Sequence, residues 1–81
     1  MEPAVAFGMV LRQLRKEAGM TQEELGFEAD LRRTYVSTLE LGQQQPTLTT
    51  ILKLAKALKV SAQQFVGQVE KEMSTAKQRR R

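Results

Sequence analysis

The stretch "MTQEELGFEADLRRTYVSTLELG", residues 20–42, decides the fold. Its first half opens as a helix. Thr21 can cap, and Glu24 three residues on can bond back to the Thr21 amide, a capping box. Met20 before the cap and Leu25 at the fourth helical position suit a hydrophobic staple. This helix ends near Ala29 or Asp30. Another follows over about 32–41, with Gly42 as its stop. Only "ADL" separates the two. A connection that short forces two helices to cross steeply, as in a helix-turn-helix pair.

The later helix has an unusual outer face. At about 100° per residue, Leu39 and Arg32 fall within about 60° of Val36, and this side faces inward. Thr34, Ser37, Thr38 and Leu41 fall about 100–160° away from Val36. An ordinary solvated helix face carries Glu and Lys; this one carries short hydroxyls. Such side chains let a helix backbone approach another surface closely. Hydroxyls donate or accept, and a Thr methyl can meet a thymine methyl. Arg33 lies in the first turn, the end of a recognition helix that enters the major groove first, and its planar fork suits guanine O6 and N7. Duplex DNA is the surface this face fits. Read alone, the same residues also suit a plain solvent face; the capped short helix and tight turn before them favour DNA.

The rest of the chain supplies three more helices and no strand alternation or repeat. Pro3 suits a first helical position, and Phe7, Val10, Leu11, Leu14 and Ala18 follow at helical spacing to a stop at Gly19. After the "QQQP" loop, Thr47 caps a helix with Leu48, Ile51, Leu52, Ala55 and Leu58 on its inner face. Ser61, Gln64, Val60 and Phe65 repeat the capping box and staple. They open a last helix running to about Met73, with Gly67 inside it at a cost of roughly 0.5–1 kcal/mol. The expected architecture is all-α: a compact bundle of about five short helices over residues 1–73. Residues 74–81 form a basic, disordered tail.

At 81 residues the chain suits one domain, too small to bury a large core. It has no Cys and no His, which removes thiolate, disulfide and imidazole chemistry, and its one Asp is Asp30. No Gly-rich phosphate loop or metal-ligand spacing is present. Neither an enzyme nor a cofactor, metal or small-molecule ligand is expected. No apolar run approaches the ~20 residues of a membrane span. "MEPAVAFGMV" lacks the marks of a signal peptide, so a cytoplasmic protein is expected. The net charge of +4 is a tail property. Lys77, Arg79, Arg80 and Arg81 carry it, while nine basic and nine acidic residues cancel over 1–73. Such a tail suits sequence-independent phosphate contacts as well as a plain solvated end.

The motifs "FGMVLRQLRKEAGMTQEEL", "RRTYVSTLELG" and "PTLTTILKLAKALKVS" together resemble the Xre family, the helix-turn-helix proteins related to lambda-type phage repressors. "RTYVS" also resembles the small controller proteins of restriction–modification systems. The resemblance implies sequence-specific DNA binding as a transcriptional regulator. It places base reading on Arg33, Thr34, Ser37 and Thr38. Phosphate contacts fall on Gln22, Arg32, Tyr35, Gln43, Gln44 and Gln45, the loop glutamines being equally readable as plain polar loop. Arg15 and Glu40 match a structural ion pair. Three positions depart from the pattern: Asp30 stands where Gly is usual, Arg32 where a Ser or Thr cap is usual, and Leu41 where a polar residue is usual. A stripe of Ala62, Val66, Val69 and Met73 marks the last helix. Val66, Val69 and Met73 are expected to pack across a two-fold axis, so that a homodimer reads an inverted repeat. The other class this fold serves is a helical interaction module, an antitoxin or adaptor whose main partner is protein.

Overall fold

The computed structural model describes the backbone of residues 1–79 and the side chains of residues 1–75. Five helices follow one another: α1 (Pro3–Glu17), α2 (Gln22–Ala29), α3 (Arg33–Glu40), α4 (Leu48–Ala57) and α5 (Ala62–Arg79). No strand occurs among the described residues.

The start signals act as the sequence implies. Thr21 Oγ1 accepts from Glu24 N at 3.0 Å, and Glu24 Oε1 accepts from Thr21 N at 2.8 Å. Ser61 and Gln64 exchange the same two bonds, both at 3.0 Å. Thr47 Oγ1 accepts from Thr50 N at 3.1 Å. Each cap satisfies a first-turn N–H that the helix itself leaves open. Gly19 closes α1 with φ 71°, in the left-handed region that favours glycine. Leu11, Leu25, Val36, Leu39, Leu54 and Phe65 are the largest fully buried side chains. Phe65 stacks on Phe7 with ring centroids 4.8 Å apart, tying α5 to α1.

Four expectations are corrected. Leu48 and Leu52 do not face inward; they are 70% and 52% exposed, and Leu54 and Thr50 take the inner positions of α4. Ala18 is exposed at the end of α1. Helix α5 continues past Met73 to Arg79, so the described part of the expected disordered tail is helical; Arg80 and Arg81 lie outside the described residues. Finally, Val69 does not outrun the core. It is only 9% exposed, and Met73 packs against the same cluster. The reason is that α5 lies along α1. Beyond the Phe7–Phe65 stack, Val10 and Gln13 share a shallow cleft with Gln68, Lys71, Glu72 and Thr75. Of the three residues expected at a two-fold axis, Val66 alone is exposed.

The glycines separate by what surrounds them. A Cβ on Gly8 would collide with the Leu39 carbonyl oxygen and sit 2.7 Å from that of Glu40, so α1 meets the end of α3 backbone to backbone. A Cβ on Gly67 would meet nothing within 4 Å. Gly67→Ala should therefore raise stability by about 0.5–1 kcal/mol through lost freedom of the unfolded chain. Gly8→Ala should be strongly destabilising, because backbone on both sides cannot yield. Urea denaturation of both variants checks the contrast.

Candidate nucleic-acid interface

The turn between α2 and α3 sets the direction of the face. Asp30 adopts φ 57° and ψ 48°, the left-handed conformation that Asp tolerates better than most residues. Leu31 N then donates to Gly26 O at 2.8 Å, and Asp30 N to Phe27 O at 3.3 Å. Asp30 thus supplies the geometry usually given to glycine, and does not cap α3. The close approach falls on Gly26, where a Cβ would lie 2.7 Å from Leu31 O. The chain turns into α3 at once, with Arg32 as a cap residue that makes no side-chain bond. Helix α3 is one residue shorter at each end than 32–41, and Leu41 becomes its C-cap.

On α3 the two faces separate as the spacing implies. Val36 and Leu39 are fully buried. Arg33 and Thr34 are exposed, and Ser37 and Thr38 are half-buried on the same outward side. Thr38 Oγ1 donates to Thr34 O at 2.9 Å, a bond that spacing alone does not reveal. Arg32 is exposed, although a helical wheel turns it inward; as a cap residue it lies off the wheel. Tyr35 is half-buried against the core. Gln43, Gln44 and Gln45 are exposed in the loop after Gly42. Leu41 is 66% exposed at the end of the helix.

Beneath this face one carboxylate joins three helices. Glu40, whose side chain is 3% exposed, accepts from Arg15 Nε at 2.6 Å and from Arg15 Nη2 at 3.1 Å. The Arg15 side chain is 11% exposed. Its Nη1 donates to Met20 O at 2.9 Å, so the same guanidinium also holds the α1–α2 turn. Hydrogen bonding to Glu40 holds the Arg15 pKa above its ordinary value, against the opposing effect of burial. The Gln22 amide adds a third bond, Nε2 donating to Glu40 Oε1 at 3.1 Å. The expected Arg15–Glu40 pair is therefore present. Its extension to Gln22 had no signal in the sequence, because the two residues are joined only through the crossing of α2 and α3.

The result is an arranged surface. Arg15, Thr21, Gln22, Glu23 and Arg33 line an open depression of about 500 Å³ between the start of α2 and the start of α3. Gln22 and Arg33 are brought to one place, with Thr34, Ser37 and Thr38 continuing along α3. The first N–H groups of α2 lie at the same end, where a helix favours an anion. Glu23 is the one acid on the rim. Among the described residues no group of three or more Asp or Glu side chains is placed to hold a metal ion, and no helix is long and apolar enough to cross a membrane.

This arrangement defines a DNA-binding helix-turn-helix regulator, and comparison agrees. The family model described as helix-turn-helix matches residues 11–65, so the chain belongs to this Xre-like family. Among its relatives, control protein C.BamHI of Bacillus amyloliquefaciens is 47% identical over 55 residues, covering 67% of this chain and 68% of the relative. Control protein C.MunI of a Mycoplasma species is 33% identical over 69 residues, covering 84% and 93%. In three dimensions the chain superimposes on the restriction-modification controller protein C.AhdI of Aeromonas hydrophila with a TM-score of 0.75, at 44% identity over 76% of this chain and 94% of that one.

Removing one partner of the buried pair leaves an uncompensated charge. Glu40→Gln should cost about 3–5 kcal/mol of folding stability. A two-state urea transition with an unchanged m-value and a lower midpoint is the expected readout.

Proposed function

We propose that this chain is a homodimeric regulator of the controller type, with α3 of each protomer in the major groove of an inverted-repeat site. The observation that carries the reading is the outward face of α3: a guanidinium and three hydroxyls, free of acids, beside the start of α2. Arg33 reads a guanine through its two-pronged edge, and Thr34, Ser37 and Thr38 contact neighbouring bases. Gln22, Arg32, Tyr35, Gln43, Gln44 and Gln45 contact the phosphates and set the register. For Tyr35 the hydroxyl would do this, since the ring packs on the core.

The proposed dimer surface draws on exposed apolar residues of α4 and α5. Val69 and Met73 serve this protomer's own core, so of the exposed apolar residues, which also include Val5, Met9, Phe27 and Leu41, this reading places Val66 of α5 with Leu48 and Leu52 of α4 at the two-fold axis. Leu48 and Leu52 are one helical turn apart, on the same side of α4. Burying them on a second copy is favourable for a domain this small. It would set the two reading helices about one DNA turn apart, roughly 34 Å. The basic residues of the 74–81 sequence, Lys77, Arg79, Arg80 and Arg81, would add phosphate contacts that carry no sequence information.

Selection from random duplexes at near-physiological salt should enrich an inverted repeat. Arg33→Ala should cost about 1–3 kcal/mol and relax preference at one position in each half-site. Retention of DNA without any enriched motif would contradict the reading and favour a protein partner. In sedimentation at micromolar concentration the protein should be dimeric and Leu52→Lys monomeric. A monomeric wild type, or an undisturbed Leu52→Lys dimer, would refute the proposed surface.

A further inference from the structure

The hydrogen bond within α3 decides what Thr38 can read. Thr38 Oγ1 lies 2.9 Å from Thr34 O. A carbonyl oxygen can only accept, so the hydroxyl proton is committed to the helix's own backbone. Threonine in a helix has a rotamer that makes this bond, and it turns the Cγ2 methyl away from the bonded carbonyl. Thr38 is half-buried on the outward side of α3, and with its proton so committed the groups it can present to a partner are an oxygen lone pair and a methyl group. It offers no donor. Thr34 and Ser37 make no side-chain hydrogen bond among the described residues, so their hydroxyls are free to donate or accept. Arg33 can only donate.

The major-groove edges of the bases sort accordingly. Guanine presents two acceptors, N7 and O6, which suit Arg33 and repel a bare oxygen lone pair. Cytosine presents an N4 amino donor but no methyl. An A·T pair presents the adenine N6 amino donor and, on the far side of the thymine O4 acceptor, the thymine methyl. It alone matches both groups that Thr38 exposes.

We infer that Thr38 is a specificity-determining residue that selects an A·T pair, its Oγ1 accepting from adenine N6 and its Cγ2 packing on the thymine methyl. The inference rests on the reading of α3 as the base-contacting helix. Arg33 and Thr38 stand more than one turn apart on that helix. Each half-site should therefore carry a guanine read by Arg33 and, separated from it, an A·T pair read by Thr38.

The experiment selects binding sites in parallel with wild type, Thr38→Ala, Thr38→Val and Thr38→Ser, each first confirmed as folded by its helical circular dichroism. In Thr38→Ala one position per half-site should lose its preference, and in wild type that position should be A·T. Thr38→Val keeps the methyl and loses the acceptor, so preference for A·T over G·C should fall roughly 2- to 10-fold, the loss of one hydrogen bond. Replacing that thymine by deoxyuridine removes its methyl. Wild type should then bind more weakly, while Thr38→Ser, which lacks its own methyl, should be indifferent. A G·C pair at the Thr38-dependent position overturns the inference and leaves base reading by α3 standing. So does a motif that Thr38→Ala leaves unchanged. A wild type that enriches no motif removes base reading itself, and the inference with it.

Discussion

The carboxylate of Glu40 is the constraint on which the DNA-facing surface depends. It stands at the last residue of α3, almost without exposure, and is held by Arg15 of α1 and Gln22 of α2. Burying one carboxylate costs several kcal/mol, and only its partners repay it. In exchange it fixes the relative position of three helices at the point where α1, α2 and α3 meet. Arg15 extends the hold to Met20 O at the turn into α2. An apolar contact of equal size would hold these helices together, but it would not prescribe their orientation. Three hydrogen bonds from two side chains aimed at one carboxylate do.

Two backbone contacts complete the hold. Gly8 lets α1 meet the carbonyls of Leu39 and Glu40 directly, which brings Arg15, farther along α1, within reach of Glu40. Gly26 lets the chain fold back so that Leu31 can close the end of α2, with Asp30 in the left-handed conformation. Helix α3 is thus held by its end through Glu40, by its start through the turn, and by Val36 and Leu39 between. A helix of eight residues has little stability of its own. Held at both ends, it can present a rigid face to a partner without relying on its own propensity.

Much of this was legible in the sequence, because the signals are local. Capping residues, staples and the short "ADL" connection act within a few residues, so helix order and the outward face of α3 followed from spacing. What was missed depends on distance. On α4, Leu48 and Leu52 are as apolar as Leu54 and Leu58, and spacing alone allowed either side to face inward. Centring the helix on Leu54 and Leu58 would have turned Leu52 out. On α5 the extent of the core depends on how far α1 accompanies it, so spacing alone leaves Val69 to a partner although this chain already covers it. The Gln22 bond to Glu40 and the Thr38 bond to Thr34 are choices of side-chain rotamer, on which residue spacing is silent.

The central claim is that α3 and the start of α2, locked together by Glu40, form the surface that meets DNA. Following the backbone amides of isotopically labelled protein by NMR during titration with duplex DNA tests it most directly. The account predicts the largest shifts at Gln22, Arg33, Thr34, Ser37 and Thr38, with the outer face of α2 at Glu24, Phe27 and Glu28 little affected. Shifts confined to the end of α5, with α3 unmoved, would contradict it.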